Sequence, residues 1–163
     1  MNLNALNETV REDLEKLNIG RAGWLKPRTH ADGHVYDVIV IGGGQSGLGT
    51  AFGLRRERID NVLVLDENPA GQEGPWVTYA RMVTLRTPKH LTSIDLGIPS
   101  LTFRSYWEAR TGFDGWAALD KIPRDDWMAY LKWYREVLNL PVVNEVRVTR
   151  IEPLSGGMHR VWK

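Results

Sequence analysis

The chain has 163 residues, is 42% hydrophobic and 25% charged, and carries a formal net charge of +1 at pH 7. These values are typical of one globular domain, and the balanced charge favours neither nucleic acid nor an acidic surface as a partner. The chain has no cysteine, which excludes a disulfide framework and a thiolate metal site, and its scattered histidines indicate no metal site.

The N-terminal part of the chain is predicted to be a helix followed by a connector. Leu and Val recur at helical spacing over residues 3–17, which indicates an amphipathic helix. We expect it to pack on its own domain, and packing on a neighbour is the alternative. Residues 18–34 are rich in Gly, Pro and charge, as connectors are. The polar N-terminus lacks the apolar core of a signal peptide, and no apolar run approaches the ~20 residues of a membrane span. We therefore expect a cytoplasmic protein without a membrane span, divided at residues 1–34 and 35–163.

A strand, a turn, a helix and a second strand follow the connector. YDVIVI at 36–41 is the first predicted strand, GGGQSG forms the turn, the helix covers 45–57, and VLVLD at 62–66 is the second strand. The near-continuous apolar character of VLVLD is typical of a parallel strand buried on both faces. The sequence thus predicts an α/β fold, a Rossmann-type doubly wound parallel sheet with an N-terminal helical extension.

The second half of the chain begins with a long irregular segment. Residues 67–101 are dense in Pro, Gly and Thr, and such a stretch in a compact domain is usually functional or disordered. Its aromatic and aliphatic content favours order. The later predicted elements are helices at 102–110 and 124–138, strand-like segments within LPVVNEVRVTRIEPL, and a final strand in MHRVWK, which starts a hairpin or meander.

The glycine turn fits a dinucleotide-binding motif because it follows a strand and opens a helix. Gly42 permits the tight turn, Gly44 has no side chain to keep a pyrophosphate from the backbone, and Gly47 lets the helix approach the strand. The anion then lies on free amides at the positive end of the helix dipole.

The acid at the end of the second strand completes this motif. Asp66, with Glu67 beside it, stands where a carboxylate accepts hydrogen bonds from ribose hydroxyls and repels a 2′-phosphate. This favours FAD or NAD over NADP. The long Gly/Pro/Trp loop after Asp66 favours FAD, and an NAD-dependent dehydrogenase is the weaker alternative.

Four stretches resemble the flavin-containing and Baeyer–Villiger monooxygenase superfamily over roughly residues 35–155: YDVIVIGGGQSGL, VLVLDEN, GPW and IPRDDWMAYLKWYREVLNLPV. The resemblance implies that the turn holds the FAD pyrophosphate, that Asp66 holds the adenosine ribose with Glu67 nearby, that Trp76 lies close to the flavin, and that the backbone of Val148 meets the adenine. The turn residues concerned are Gly42, Gly44, Gln45, Ser46 and Gly47. Glu73 departs from the pattern, since the superfamily has glycine there.

The resemblance also implies the activity. NADPH or NADH would reduce FAD, and a flavin C4a-peroxide would oxygenate a small substrate. The nicotinamide site would belong to a downstream domain, because this sequence contains one glycine motif and not two. We therefore expect an N-terminal part of a longer flavoprotein that is inactive by itself, with no catalytic residue identified. The alternative is a non-catalytic FAD- or nucleotide-binding module that needs a partner, either a missing C-terminal half or a second copy.

Overall fold

A three-stranded parallel sheet with helices packed around it forms the centre of the fold. The computed structural model describes residues 2–21, 23–91 and 94–163. The helices are α1 (Leu3–Lys16), α2 (Gln45–Arg56), α3 (Phe103–Ala118) and α4 (Arg124–Val137). The strands are β1 (Thr29–His30), β2 (Gly33–His34), β3 (Val38–Ile41), β4 (Val62–Leu65), β5 (Val142–Val143), β6 (Arg150–Leu154) and β7 (Met158–Trp162).

The parallel sheet has the strand order β3-β4-β5. Val38 pairs with Val62 and Ile41 with Leu65, while Val64 pairs with Val142. Helix α2 connects β3 to β4, and α3 and α4 lie in the connection from β4 to β5. The predicted Rossmann-type α/β fold is therefore confirmed, with β3 and β4 within two residues of their predicted bounds.

Helix α4 supplies half of the aromatic core, four of the eight buried aromatic side chains among the described residues. It begins after Pro123, which stands at its N-cap, and its first turn carries Asp125 and Asp126, which complement the helix dipole. One face of the helix is buried, and full burial of each large apolar side chain stabilises the fold by roughly 1.5–3 kcal/mol. The buried residues of this face are Trp127, Met128, Tyr130, Leu131, Trp133 and Tyr134.

Helix α1 packs on this aromatic core. The Asn2 side chain accepts a hydrogen bond from the Ala5 amide at 3.0 Å and so caps the helix, and Leu6 and Val10 are buried. The Trp133 indole Nε1 donates to Asn7 Oδ1 at 2.8 Å. The predicted N-terminal helix is confirmed, and it contacts its own chain.

The long segment after β4 is held by contacts with the two helices that follow it. In the described part of residues 67–101, the only helical turn is a 3₁₀ turn at Pro99–Leu101. Lys89 Nζ donates to the carbonyl of Trp116 at 2.8 Å and also to that of Leu119. Arg124 Nη1 donates to the Ala80 carbonyl at 2.6 Å. These bonds fix the segment across the end of α3 and the start of α4.

The chain forms two antiparallel hairpins, one within the connector and one in the C-terminal part. β6 pairs with β7 through a turn at Ser155–Gly157, which confirms the predicted hairpin, and β1 pairs with β2 within the connector. Arg28 Nη2 donates to the Gly156 carbonyl at 2.8 Å, and Arg160 forms an ion pair with Asp32. The connector therefore contacts the C-terminal hairpin. The division at residue 34 stays a prediction.

Candidate nucleotide-binding site

The glycine turn lies between the end of β3 and the start of α2. Gly42 has a φ of +102°, and its amide donates to the Leu65 carbonyl at 2.8 Å. A Cβ atom on Gly47 would lie 1.8 Å from the Gly42 carbonyl oxygen, so only glycine fits there. Gly44 is the N-cap of α2. The three motif glycines thus occupy a tight turn, a helix start and a point of close backbone contact.

The N-terminus of α2 offers a site for an anion. No side chain of the described residues caps it, and its first turn contains no acidic residue, whereas its last turn carries Arg55 and Arg56. Ser46 is exposed, and the Gln45 side chain accepts a hydrogen bond from Trp127 Nε1 at 3.1 Å. The first-turn amides and the helix dipole are therefore directed at an open position that favours negative charge.

Asp66 connects the turn to the end of β4. This carboxylate is buried, and its Oδ2 accepts a hydrogen bond from the Gly43 amide at 2.7 Å. Its Oδ1 accepts from the Asn68 amide at 2.8 Å and from Asn68 Nδ2 at 3.1 Å. Glu67 is exposed, and its Oε2 lies 3.6 Å from Arg147 Nε. Asp66 thus fixes the turn, while Glu67 remains accessible at its rim.

Trp76 lies in the loop that packs on the turn. A Cβ on Gly44 would lie 3.4 Å from the Cα of Gly74, so this loop and the turn are in contact. The Trp76 ring meets the Trp127 ring edge-on, with centroids 6.3 Å apart. Its buried Nε1 finds no acceptor within the part of the chain that the structure describes. Because a buried indole N–H usually has a partner, this atom marks a position that a ligand acceptor would complete.

Val148 follows a segment that runs beside Asp66. The Val146 amide donates to the Asp66 carbonyl at 2.9 Å, and the Glu145 amide donates to the Asn68 carbonyl at 3.2 Å. Val148, two residues further on, is half-buried, and its backbone makes no hydrogen bond to another described residue. The structure therefore brings the second strand's acid and the Val148 segment to the same end of the sheet.

Comparison with known families shows which family of nucleotide-binding domains has this arrangement. A profile of the FAD-NAD(P)-binding family matches residues 39–161, which include the turn, Asp66 and Val148. The chain belongs to the FAD-NAD(P)-binding family. A glycine turn, an uncapped helix and an acid at the end of the next strand are the features by which such domains hold a dinucleotide.

Two of the three individual relatives compared are flavin-dependent by name. The chain is 61% identical over 162 residues to an FAD-dependent urate hydroxylase of Xanthomonas campestris pv. campestris. The aligned region is 99% of this chain and 34% of that protein. A solved double mutant of a flavin monooxygenase from Stenotrophomonas maltophilia matches with a TM-score of 0.58 and 32% identity, over 77% of this chain and 33% of that one. A thiamine thiazole synthase of Eremothecium gossypii is 35% identical over 69 residues, 40% of this chain and 20% of that protein.

These comparisons confirm the resemblance to flavin monooxygenases. They also show that the chain spans about a third of the length of the urate hydroxylase and of the flavin monooxygenase. The site fits an adenine dinucleotide on three structural grounds. Gly44 offers an approach free of a side chain, and, among the residues that the structure describes, no side chain caps the start of α2 and none pairs with Trp76 Nε1.

Sequence reasoning missed a polar cluster beside the turn. A cleft of about 250 Å³ is lined by Gly43 and Gly44 on one side and by Glu73, Lys132 and Arg135 on the other. Arg135 Nη1 lies 2.7 Å from Glu73 Oε1, although the two residues are far apart in sequence. The one available signal was Glu73 itself, a charged residue where the superfamily has glycine.

Neither a metal site nor a membrane-spanning helix is present among the described residues. Across residues 2–21, 23–91 and 94–163, no group of three or more His, Asp or Glu side chains could hold a metal ion. None of the helices in these ranges combines the length and the apolar character that crossing a membrane requires.

Proposed function

We propose that this chain is the FAD-binding part of an NAD(P)H-dependent flavoprotein monooxygenase that hydroxylates urate or a related small heterocycle. The observation that carries the proposal is the 61% identity over 162 residues to an FAD-dependent urate hydroxylase, together with the glycine turn at its expected place in the fold. Because the chain covers only 34% of that relative, the identity of the substrate and the existence of a nicotinamide site are themselves proposed. A cytoplasmic location also stays a prediction.

The residues that would hold FAD lie along the carboxyl edge of the sheet. The amides of the turn would bind the pyrophosphate, Asp66 and Glu67 would meet the ribose, and the free backbone of Val148 would meet the adenine. Trp76 would donate its unpartnered Nε1 to an acceptor at the flavin side. The turn residues in this proposal are Gly42, Gly44, Gln45, Ser46 and Gly47.

The part that this chain plays in the reaction is to bind and orient. FAD held by these residues would supply the redox chemistry, namely acceptance of a hydride from NAD(P)H and reaction with O2, which no side chain provides. The turn and Asp66 would fix the position of the adenosine end, and the edge-to-face pair of Trp76 and Trp127 would exclude water at the flavin side. The nicotinamide and the substrate would be bound by parts outside these 163 residues.

A chimera tests the proposal. The segment of the Xanthomonas urate hydroxylase that aligns with this chain is replaced by this chain, and urate-dependent oxidation of NAD(P)H is measured. We expect FAD to copurify and activity to stay within about tenfold of the relative, a loss below 1.4 kcal/mol in transition-state stabilisation. A chimera that holds FAD but oxidises NAD(P)H no faster with urate than without it would contradict the substrate assignment.

A Gly44→Asp variant is the matched control for this chimera. Asp is a favourable N-cap residue, and Gly44 has an ordinary φ of −71°, so α2 should still form. The added carboxylate lies where the pyrophosphate would bind, so FAD should be lost while the fold is retained.

A non-catalytic nucleotide-binding module is the second candidate. The observation that favours it is the single glycine motif in a chain about a third as long as its relatives. Oxidation of NAD(P)H by the 163-residue chain alone, after addition of FAD, measures whether this chain is catalytic by itself, whereas the chimera tests whether it works within a whole monooxygenase. We expect no oxidation above the rate of free FAD.

A further inference from the structure

A buried carboxylate lies directly beside the glycine turn. Glu73 is only 4% exposed, and a Cβ on Gly43 would lie 3.3 Å from its Cγ. Glu73 lines the same cleft as Gly43 and Gly44. A negative charge in this place opposes the binding of a pyrophosphate, so the charge needs a compensating partner.

Arg135 is that partner, and its guanidinium donates three hydrogen bonds to groups of the protein. Its Nη1 donates to Glu73 Oε1 at 2.7 Å and to Asn144 Oδ1 at 2.8 Å, and its Nη2 donates to the Val142 carbonyl at 2.9 Å. Asn144 Nδ2 also donates to Glu73 Oε1 at 2.6 Å, and the Gly71 amide donates to Oε2 at 2.8 Å. The guanidinium and the carboxylate are therefore held by protein groups and do not need to touch the cofactor.

Resting on the proposed FAD site, we propose that the Glu73–Arg135 pair sets the electrostatic potential at the glycine turn and thereby the affinity for the pyrophosphate. Arg135 cancels the repulsion that Glu73 would exert, and Glu73 limits the attraction that Arg135 would exert. Both groups line the cleft beside the turn, and because Glu73 is buried and the Arg135 side chain is only 25% exposed, salt screens them weakly. They are positioning residues that act at a distance.

Two single substitutions separate this role from a merely structural one. Glu73→Gln leaves Arg135 uncompensated, so the chain should bind FAD about tenfold more tightly than wild type while its melting temperature falls. Arg135→Gln leaves Glu73 uncompensated, so FAD should bind about tenfold more weakly, again with a lower melting temperature. Affinity is read from the quenching of FAD fluorescence by the 163-residue chain, and stability from thermal unfolding without FAD.

A loss of packing alone would weaken FAD binding in both variants. That result, or unchanged affinity in Glu73→Gln, would overturn the inference while leaving the FAD site intact. If Arg135→Gln does not fold, the double variant Glu73→Gln, Arg135→Gln replaces it. The double variant removes one charge of each sign and so keeps the net charge of the cleft, and it should bind FAD as wild type does. Binding weaker than that of wild type would count against the inference.

A charge-pair variant away from the cleft and the wild-type chain serve as controls for the FAD affinities. Glu108→Gln breaks the Arg104–Glu108 pair on α3, which does not line the cleft, and should leave FAD affinity unchanged. Failure of the wild-type chain to bind FAD would overturn the proposed function, and this inference with it. Binding by wild type with both variants shifted the same way would overturn this inference alone.

Discussion

Single glycines in α2 differ sharply in what surrounds them. At Gly47 an added Cβ would meet the Gly42 carbonyl oxygen at 1.8 Å, whereas at Gly49 the nearest atom would be a side-chain carbon of Ile94 at 3.9 Å. Gly47→Ala should therefore destabilise the fold by about 3 kcal/mol, since the backbone must move. Gly49→Ala should stabilise it by roughly 0.5–1 kcal/mol through helix propensity. Urea unfolding measures both, and equal effects would contradict the assigned geometry.

Arg58 ends α2 in a conformation that suits glycine better. Its φ is +60°, its amide donates to the Arg55 carbonyl at 3.0 Å, and the Ile59 amide donates to the Leu54 carbonyl at 2.9 Å, which together form a Schellman motif. Arg58→Gly should stabilise the fold by about 0.5–1 kcal/mol because it relieves the left-handed strain. Arg58→Ala, which keeps the strain, should not stabilise it. A stability gain from Ala equal to that from Gly would exclude this explanation.

Residues of the turn could be predicted from sequence, whereas their polar neighbours could not. The spacing of Gly42, Gly44 and Gly47 is a local property of one strand–turn–helix unit, so sequence is enough to recognise it. The pairing of Glu73 with Arg135 depends on where the last turn of α4 packs against the loop, which no local pattern contains. The binding roles of the turn residues, Asp66, Glu67, Trp76 and Val148 remain predictions.

At the scale of elements, α1 is stabilised by the face that it buries. Leu6 is 1% exposed and Leu17, at the C-cap, is 57% exposed. Leu6→Ala should lower the free energy of unfolding by about 2–4 kcal/mol through the cavity that it leaves, and Leu17→Ala by less than about 0.5 kcal/mol. Chemical denaturation of the two variants measures the difference. A small effect at Leu6 would mean that α1 does not pack on α3 and α4 in solution.

Helix α4 carries a tyrosine that makes stability depend on alkaline pH. Burial raises the pKa of Tyr134, and its hydroxyl donates to the Ile94 carbonyl at 2.8 Å. Since the pKa is higher in the folded chain than in the unfolded one, the stability from this group is complete below about pH 10 and decreases as pH rises further.

Tyr134→Phe should therefore flatten the loss of stability above about pH 10, by up to roughly 1.4 kcal/mol per pH unit. At pH 7 the same variant should cost about 1 kcal/mol, because the Ile94 carbonyl loses its donor. Urea unfolding between pH 7 and 11 measures both effects. Tyr79→Phe removes an exposed hydroxyl and is the control. An unchanged alkaline slope in Tyr134→Phe would contradict the assigned burial.

Helix α3 shows why element bounds were harder to predict than element types. The sequence predicts a helix over 102–110, and the structure extends it to Ala118 across a kink at Gly112, whose φ is +80°. Glycine in that conformation usually ends a helix, so a local pattern gives a stop there. The helix continues because Trp116 packs into the core and the Lys89 ammonium caps the Trp116 carbonyl.

At the scale of the whole molecule, the parallel sheet and the aromatic core explain why the fold class was predictable. The apolar runs of β3 and β4 and the helical periodicity of α4 are each local patterns, and all of them agree with one topology. Activity is different in kind, because the chain spans about a third of its flavoprotein relatives and their remaining parts are not present in it.

Direct titration of the 163-residue chain with FAD, followed by calorimetry, tests the central claim that the glycine turn and its neighbours hold the adenosine half of FAD. We predict one FAD per chain, no binding by Gly44→Asp, and binding of FMN at least about 100-fold weaker, about 2.7 kcal/mol, because FMN lacks the adenosine half. Equal affinity for FAD and FMN, or FAD binding that survives in Gly44→Asp, would contradict it.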